Sequence, residues 1–167
     1  MKPEQPLEIE RKFLIAYPDV DAIAALPGCK VSRITQTYLL TQDGSEARVR
    51  MRATDGCVRY VYTVKRAVSG MTREETETEI TPEAYHALLA QADPSRHPVK
   101  KTRYALPFGA LIWEIDIYPF WADRAIAEVE LASETQAIAF PPQLTVLREV
   151  TDNPAYKNSA LAKCLPG

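Results

Sequence analysis

Charged residues alternate with apolar residues in at least six segments of this chain, and such charges could bind metal ions and anions. The first segment is Glu8-Ile9-Glu10-Arg11-Lys12-Phe13. Because successive side chains of a β-strand point to opposite faces, Glu8, Glu10 and Lys12 share one face. The alternation recurs in rows of one sign, which are Arg48/Arg50/Arg52, Glu75/Glu77/Glu79, Lys101/Arg103, Glu114/Asp116 and Glu128/Glu130. Each charged face therefore either meets water or lines a shared interior.

The sorting of these charges by sign favours the shared interior. A strand with one solvated face is ordinary in antiparallel sheets, but soluble surfaces usually intersperse both signs. Rows of like charge repel each other unless something neutralises them. Acidic rows that hold metal ions, facing basic rows that hold a multiply charged anion across a closed barrel, would relieve both repulsions.

Composition narrows the class of protein. With 167 residues and 46% hydrophobic content, the chain suits a single domain over residues 1–167 with a sizeable core. The net charge of -2 argues against general nucleic-acid binding. Cys29, Cys57 and Cys164 form no CxxC pattern and predict thiols rather than a disulfide framework or zinc site. We find no apolar leader or bilayer-length apolar stretch, and we expect a cytoplasmic protein.

Strand patterns dominate the chain and helices are short. The predicted strands cover residues 7–15, 31–40, 46–53, 58–66, 73–80, 100–106, 110–118 and 125–132. Asp43-Gly44 and Asp55-Gly56 predict turns between consecutive strands. Helices are predicted over 17–26, from Pro82 to about residue 92 with Thr81 as N-cap, and from an N-cap at Asn158 through Cys164. These patterns predict a β-dominated α+β fold of eight or more antiparallel strands.

The motifs, taken together, resemble those of the triphosphate tunnel metalloenzymes, also called the CYTH superfamily. Glu8 to Leu14 is similar to the N-terminal ExExK signature, and the local sequence resembles that of the short bacterial tripolyphosphatases. Further blocks follow in the family's order, namely Gln36–Leu39, Arg48–Arg50, Thr63–Lys65, Arg73–Glu79, Lys101–Tyr104, Glu114–Asp116, Glu128–Leu131 and Tyr156–Asn158. The resemblance implies a closed eight-stranded antiparallel β-barrel, a tunnel with a few short helices packed outside.

The resemblance also implies roles for individual residues. It assigns binding of Mg²⁺ or Mn²⁺ to Glu8, Glu10, Asp116, Glu128 and Glu130. It assigns phosphate binding to Lys12, Arg48, Arg50, Lys65, Lys101 and Arg103. Glu8, Glu10 and Lys12 are the expected catalytic residues. The chemistry agrees, because carboxylates alone would repel a polyphosphate and hard cations must bridge the two, while guanidinium groups grip phosphate bidentately.

Several residues keep two interpretations. Arg52 suits either the tunnel mouth or solvent, and Tyr38 suits either a tunnel plug or an ordinary core position. Lys157 could cover a tunnel opening, and Arg11 is expected on the outer surface. For the row Glu75, Glu77 and Glu79 we favour a supporting role, in which the acids pair with tunnel bases. The remaining candidates, His86 and His97, are predicted to be structural.

The sequence therefore predicts a metal-dependent hydrolase that cleaves a phosphoanhydride bond, converting inorganic tripolyphosphate to pyrophosphate and phosphate. Two alternatives share the same tunnel: a class IV adenylyl cyclase that makes cyclic AMP from ATP, and a thiamine triphosphatase. A sensor that binds polyphosphate without turnover is a third interpretation. The resemblance also makes a homodimer plausible, and the sequence leaves the preferred triphosphate and metal open.

Overall fold

Nine antiparallel strands form one sheet within residues 7–69 and 71–163, which this computed structural model describes. The strands are β1 Leu7–Ala16, β2 Lys30–Leu39, β3 Glu46–Thr54, β4 Cys57–Ser69, β5 Thr72–Ile80, β6 Val99–Phe108, β7 Leu111–Ile117, β8 Arg124–Glu130 and β9 Val146–Glu149. The first eight agree with the predicted strands to within three residues at each end.

Eight of these strands close into a barrel. The order across the sheet is β5-β4-β3-β2-β6-β7-β8-β1-β9, and β5 pairs with β1 to complete the ring. That closure is short, since it runs from the pair Leu7 and Glu74 to the pair Ile9 and Thr72. The predicted closed eight-stranded barrel is confirmed. The extra strand β9 pairs with β1 beyond the ring, and its four residues were too few to reveal an alternating pattern.

The predicted Asp55-Gly56 turn forms the hairpin between β3 and β4. Asp55 has a φ of 51° and Gly56 a φ of 78°. Two consecutive left-handed residues make the tight loop that matches the twist of antiparallel strands. Glycine adopts this conformation at no steric cost, and aspartate tolerates it better than most residues.

Within the described residues, three short helices and two 3₁₀ turns lie between the strands or follow the last of them. The helices are α1 Val20–Ala24, α2 Pro82–Leu88 and α3 Asn158–Leu161, and the 3₁₀ turns are Leu89–Gln91 and Pro154–Tyr156. The Thr81 hydroxyl accepts a hydrogen bond from the Ala84 N–H at 3.1 Å, so the predicted N-cap of α2 is confirmed. The first helix is shorter than predicted.

The predicted N-cap of the last helix is wrong. Lys157 precedes α3 instead, while the Asn158 side chain accepts a hydrogen bond from the buried Tyr118 hydroxyl at 2.5 Å. The Asn158 side chain therefore takes part in a tertiary hydrogen bond instead of capping the helix. The expected helix end at Cys164 lies outside the described residues.

Apolar side chains pack outside the barrel wall and at one end of it. The largest cluster joins the outer faces of β1, β6, β7 and β8 to Ile23 of α1. A second cluster, with Leu14, Tyr38, Tyr118 and Tyr156 among its members, closes one end of the barrel. A third packs Tyr85 of α2 on β3 and β4. The middle of the barrel is thus left to polar side chains.

Every helix among the described residues falls short of the length and apolarity needed to cross a bilayer.

Candidate active site

A cavity of about 880 Å³ is lined by inward-facing side chains of the barrel strands. Most of the predicted site residues share this cavity, which is lined by Glu8, Glu10, Lys12, Arg48, Arg50, Lys65, Arg103, Glu128 and Glu130. They come from five strands that are distant in sequence. Closure of the sheet converts alternation along each strand into one charged interior.

Acids from β1 and β8 face each other in one part of the cavity. Glu10 lies opposite Glu130 in the strand register, and Lys12 lies opposite Glu128. The Lys12 ammonium is 3.4 Å from the Glu128 carboxylate and donates a hydrogen bond to the Tyr156 carbonyl at 3.2 Å. This ammonium therefore links the acidic wall to the closed end of the barrel.

Burial and mutual repulsion perturb these acids. Burial, reinforced by the neighbouring Glu128 carboxylate, raises the pKa of Glu10 to about 8. The pKa of Glu130 is also raised, by burial and then by Glu8. Burial opposes ionisation of Glu128 as well, but Lys12 and Arg103 outweigh it and hold the Glu128 pKa below its usual range. Glu10 and Glu130 therefore hold their protons more tightly than an ordinary glutamate, whereas Glu128 stays ionised.

Arginines crowd another part of the cavity. Arg50 donates from Nε to the fully buried Gln36 side-chain oxygen at 2.9 Å. Burial and the neighbouring Arg48 and Arg103 guanidiniums lower the pKa of Arg50 to about 9. Arg52 also lines the cavity and donates to Ser32 Oγ at 3.1 Å, so it faces inward. Like charges at such close range are favourable when an anion lies between them.

A buried ion-pair network revises two of the predicted assignments. The Lys101 ammonium donates to one oxygen of Asp116 at 2.8 Å, and Arg103 Nε donates to the other at 2.7 Å. The side chains of Lys101 and Asp116 have no exposed surface, and neither is among the described residues that line the cavity. A carboxylate with both oxygens engaged by cations is a poor metal ligand. We therefore favour a structural role for Asp116 and Lys101 over the predicted binding of metal and phosphate.

Asp116 instead holds Arg103 in place, and its removal should destabilise the fold. Asp116→Asn would leave the buried Lys101 ammonium without its ion-pair partner and Arg103 with Glu114 in place of two acids, and we expect the free energy of unfolding to fall by about 3–5 kcal/mol. Urea denaturation measures this change. The matched control is Asp43→Asn, because Asp43 forms an exposed pair with Arg66 and its loss should cost far less than the loss of Asp116. Equal losses in the two variants would contradict the proposed role of Asp116.

The residues with open interpretations divide between the cavity and its surroundings. Arg11 donates from Nε to Glu149 at 2.9 Å outside the barrel, as expected. Tyr38 belongs to the apolar cluster and also lines the cavity, and Lys157 lines the cavity as well. His86 lies on α2 and His97 in a loop, and neither is among the described residues that line the cavity.

The favoured supporting role for the β5 acids is not seen at Lys65. Glu75 and Glu77 line the cavity, and Glu75 lies directly opposite Lys65 in the strand register. The ammonium of Lys65 nevertheless forms its ion pair with Glu8 at 2.9 Å. Short closure between β5 and β1 brings Glu8 within reach, which the alternation alone does not indicate.

Five charged residues that line the cavity received no site role from the sequence, namely Glu46, Arg73, Asp93, Arg96 and Glu114. Glu114 and Arg73 lie within recognised blocks, and strand alternation could have placed them. Arg96 lies in an irregular loop before β6, where no periodic pattern indicates the direction of a side chain.

The acidic wall fits a divalent cation by its chemistry. Glu8, Glu10, Glu128 and Glu130 offer carboxylate oxygens, the ligands that Mg²⁺ and Mn²⁺ prefer. The raised pKa of Glu10 reflects burial and then repulsion by Glu128, and a cation bound beside this carboxylate would favour its ionised form. In the described part of the chain, no three acidic, histidine or cysteine side chains already converge on one point. Two of these acids form ion pairs with lysines, since Glu8 pairs with Lys65 and Glu128 pairs with Lys12.

The raised pKa of Glu10 predicts a pH-dependent stability difference. Because the folded-state pKa of about 8 exceeds the ordinary value of 4.5, the contribution of Glu10 to stability is largest below pH 4.5 and declines up to pH 8. Glu10→Gln removes this titration. We therefore expect the variant to gain stability relative to the original chain as pH rises from 5 to 8, measured by urea denaturation in chelator. A constant or shrinking difference would refute the interpretation.

The chain is similar to known proteins over nearly its whole length. The CYTH domain family model matches residues 6–154. An inorganic triphosphatase of Nitrosomonas europaea is 37% identical over 164 residues, which cover 95% of this chain and 99% of that protein. An inorganic triphosphatase of Acetivibrio thermocellus is 31% identical over 159 residues, covering 93% of each. A solved inorganic triphosphatase structure has a TM-score of 0.58 at 32% identity, covering 96% of this chain and 97% of that one. The resemblance inferred from the motifs is confirmed, and the chain belongs to the CYTH domain family.

Proposed function

We propose that this chain is a metal-dependent triphosphatase that hydrolyses inorganic tripolyphosphate to pyrophosphate and phosphate. The observation that carries the proposal is the meeting of an acidic wall and a cluster of arginines in one barrel cavity. Two similar proteins that cover nearly the whole chain are named inorganic triphosphatases, which supports this substrate. An enclosed basic surface suits a compact polyanion, and the acids opposite suit its counter-cation.

The basic residues bind and orient the phosphates. Arg48 and Arg50 lie on one face of β3 and offer guanidinium forks to phosphate oxygens. Arg103 enters from β6 and is held rigidly by Asp116, so it stabilises developing charge without reorganising. Lys12 and Lys65 line the same cavity and pair with Glu128 and Glu8. In phosphoryl transfer such positioning and charge stabilisation supply most of the rate enhancement.

The acids of β1 and β8 would hold the divalent cation. We assign Glu8, Glu10, Glu128 and Glu130 to this role, with Mg²⁺ or Mn²⁺ as the candidates. When bound, such a cation neutralises phosphate oxygens and lowers the pKa of a water molecule. Because Glu10 has a raised pKa and a ligand must be deprotonated, binding releases a proton and strengthens as pH increases.

The experiment is a substrate panel with tripolyphosphate, thiamine triphosphate and ATP, each with Mg²⁺, with Mn²⁺ and with chelator. We expect the highest kcat/KM for tripolyphosphate, with pyrophosphate and phosphate formed in equal amounts and only with metal. Cyclic AMP from ATP would instead support the class IV adenylyl cyclase, and preference for thiamine triphosphate would support the thiamine triphosphatase. Binding without turnover under both metals would support the sensor.

The setting of the protein is part of the same proposal. We infer a cytoplasmic enzyme with a small-molecule triphosphate as its partner, on the basis of its unpaired cysteine pattern and near-neutral net charge. Homodimerisation stays a prediction, which light scattering of the purified chain would test.

A further inference from the structure

A loop outside the barrel wall contributes another arginine to the cavity. Residues 92–98 connect the 3₁₀ turn after α2 to β6, and Arg96 in this loop lines the cavity. The loop is tied down at two places, since the Asp93 N–H donates to the Tyr38 carbonyl at 2.9 Å and the His97 N–H donates to the Ala162 carbonyl at 2.7 Å. Arg96 is therefore presented from a fixed backbone.

The Arg96 guanidinium is oriented by stacking rather than by a well-formed ion pair. Its central carbon lies 5.3 Å from the centroid of the Tyr38 ring, a distance typical of a cation–π contact. Its Nε is 3.4 Å from the Asp93 carboxylate and is buried with no hydrogen-bond partner among the described residues. The Asp93 carboxylate also accepts hydrogen bonds from the Ser95 N–H at 2.9 Å and from the Ser95 hydroxyl at 2.7 Å, both on its Oδ1 atom.

Positive charge accumulates at this closed end of the cavity. Arg48 lies directly opposite Tyr38 in the strand register, and Lys157 lines the cavity from the segment that precedes α3. Burial and then the nearby Arg73 lower the pKa of Lys157. The acids near these cations are Asp93, which pairs with Arg96, and Glu46 and Glu10, which act on Lys157. Cations from a strand, a loop and the C-terminal segment therefore share one region, and an anion would neutralise them.

Resting on the function proposed above, we propose that Arg96 binds the outermost phosphate of tripolyphosphate, so that the site selects three phosphates over two. A terminal phosphate carries the greatest charge of the chain and presents several oxygens to a guanidinium fork. We expect pyrophosphate, which has one phosphate fewer, to bind Arg48 and Arg50 without engaging Arg96. Because the loop backbone and the Tyr38 ring already hold the arginine, little conformational entropy is lost on binding.

The test is the kinetics of Arg96→Gln. We expect the KM for tripolyphosphate to rise about tenfold or more while kcat stays within about threefold. The inhibition constant of pyrophosphate should stay within about twofold, because that ligand does not reach residue 96. The matched control is Arg66→Gln, since Arg66 is 60% exposed and pairs with Asp43, and it should leave all three constants unchanged.

Three outcomes would overturn the proposal. These are an unchanged KM, an equal loss of tripolyphosphate and pyrophosphate affinity, and a fall in kcat alone. Arg96→Lys serves as the conservative variant, because it keeps the positive charge. We expect its KM for tripolyphosphate to lie between those of the original chain and Arg96→Gln, with the inhibition constant of pyrophosphate unchanged. If Arg96→Gln does not fold, as judged by near-UV circular dichroism, the lysine variant carries the comparison with the original chain.

Calorimetric binding of tripolyphosphate separates this inference from the proposed function. If the original chain binds tripolyphosphate but releases no phosphate, the hydrolase proposal fails, and a tenfold affinity loss in Arg96→Gln still supports the role of Arg96. If the original chain hydrolyses tripolyphosphate and the variant binds it equally well, only the role of Arg96 fails. Absence of binding by the original chain would overturn both.

Discussion

Glu10→Gln should reduce kcat for tripolyphosphate by about 1000-fold, on the order of 4 kcal/mol of transition-state stabilisation, while the folded protein becomes no less stable. Glu10 lies opposite Glu130 and is repelled by Glu128. A neutral amide removes that repulsion in the free protein but supplies a weaker metal ligand. Phosphate release, measured alongside urea denaturation at pH 7, would report both effects.

Glu149→Gln is the matched control for this change. Glu149 is an acid on the outer side of the barrel, where it pairs with Arg11. Its pKa is lowered by hydrogen bonding to Arg11, so the same substitution should slightly destabilise the protein and leave kcat intact. Near-normal turnover by Glu10→Gln, or an equal loss of turnover in both variants, would remove Glu10 from the metal site.

Arg50→Met should lower kcat/KM for tripolyphosphate by about 100-fold, because two charge-assisted hydrogen bonds to phosphate are lost. The free energy of unfolding should change by less than about 2 kcal/mol, since two effects oppose each other. Gln36 loses its hydrogen-bond donor, but the repulsion that Arg48 and Arg103 exert on Arg50 is relieved. Steady-state kinetics and urea denaturation measure these quantities.

The control for Arg50 is Arg33→Met on the neighbouring strand β2. Arg33 is exposed, so its loss should alter neither kinetic constant nor stability appreciably. A large stability loss in Arg50→Met, with kcat/KM unchanged, would make Arg50 a structural residue rather than a phosphate-binding one.

The architecture could be predicted because alternation, turn chemistry and charge sorting agree along most of the chain. The Asp55-Gly56 turn and the Thr81 cap depend on local conformation and were predictable for that reason. β9 was missed since four residues carry too little periodicity. The Asn158 cap failed because a distant partner, Tyr118, competes for the amide.

The sequence indicates which side chains of each strand face the barrel interior, but it does not indicate which of these inward-facing side chains reach the cavity. Lys101, Arg103 and Asp116 all face inward, yet only Arg103 lines the cavity. The level at which neighbouring strands meet decides which inward residues are covered, and that register is a tertiary property. Arg96 was missed for a related reason, because hydrogen bonds to β2 and α3 place its loop over the cavity.

The most direct test of the charged cavity as the site of triphosphate binding is a crystal structure with Mn²⁺ and diimidotriphosphate, a tripolyphosphate analogue with nitrogen bridges that resist hydrolysis. We expect the phosphate chain to contact the Arg48 and Arg50 guanidiniums, with an anomalous manganese peak in contact with Glu10 and Glu128. Ligand and metal bound on the outer surface, with the cavity holding neither of them, would contradict the account.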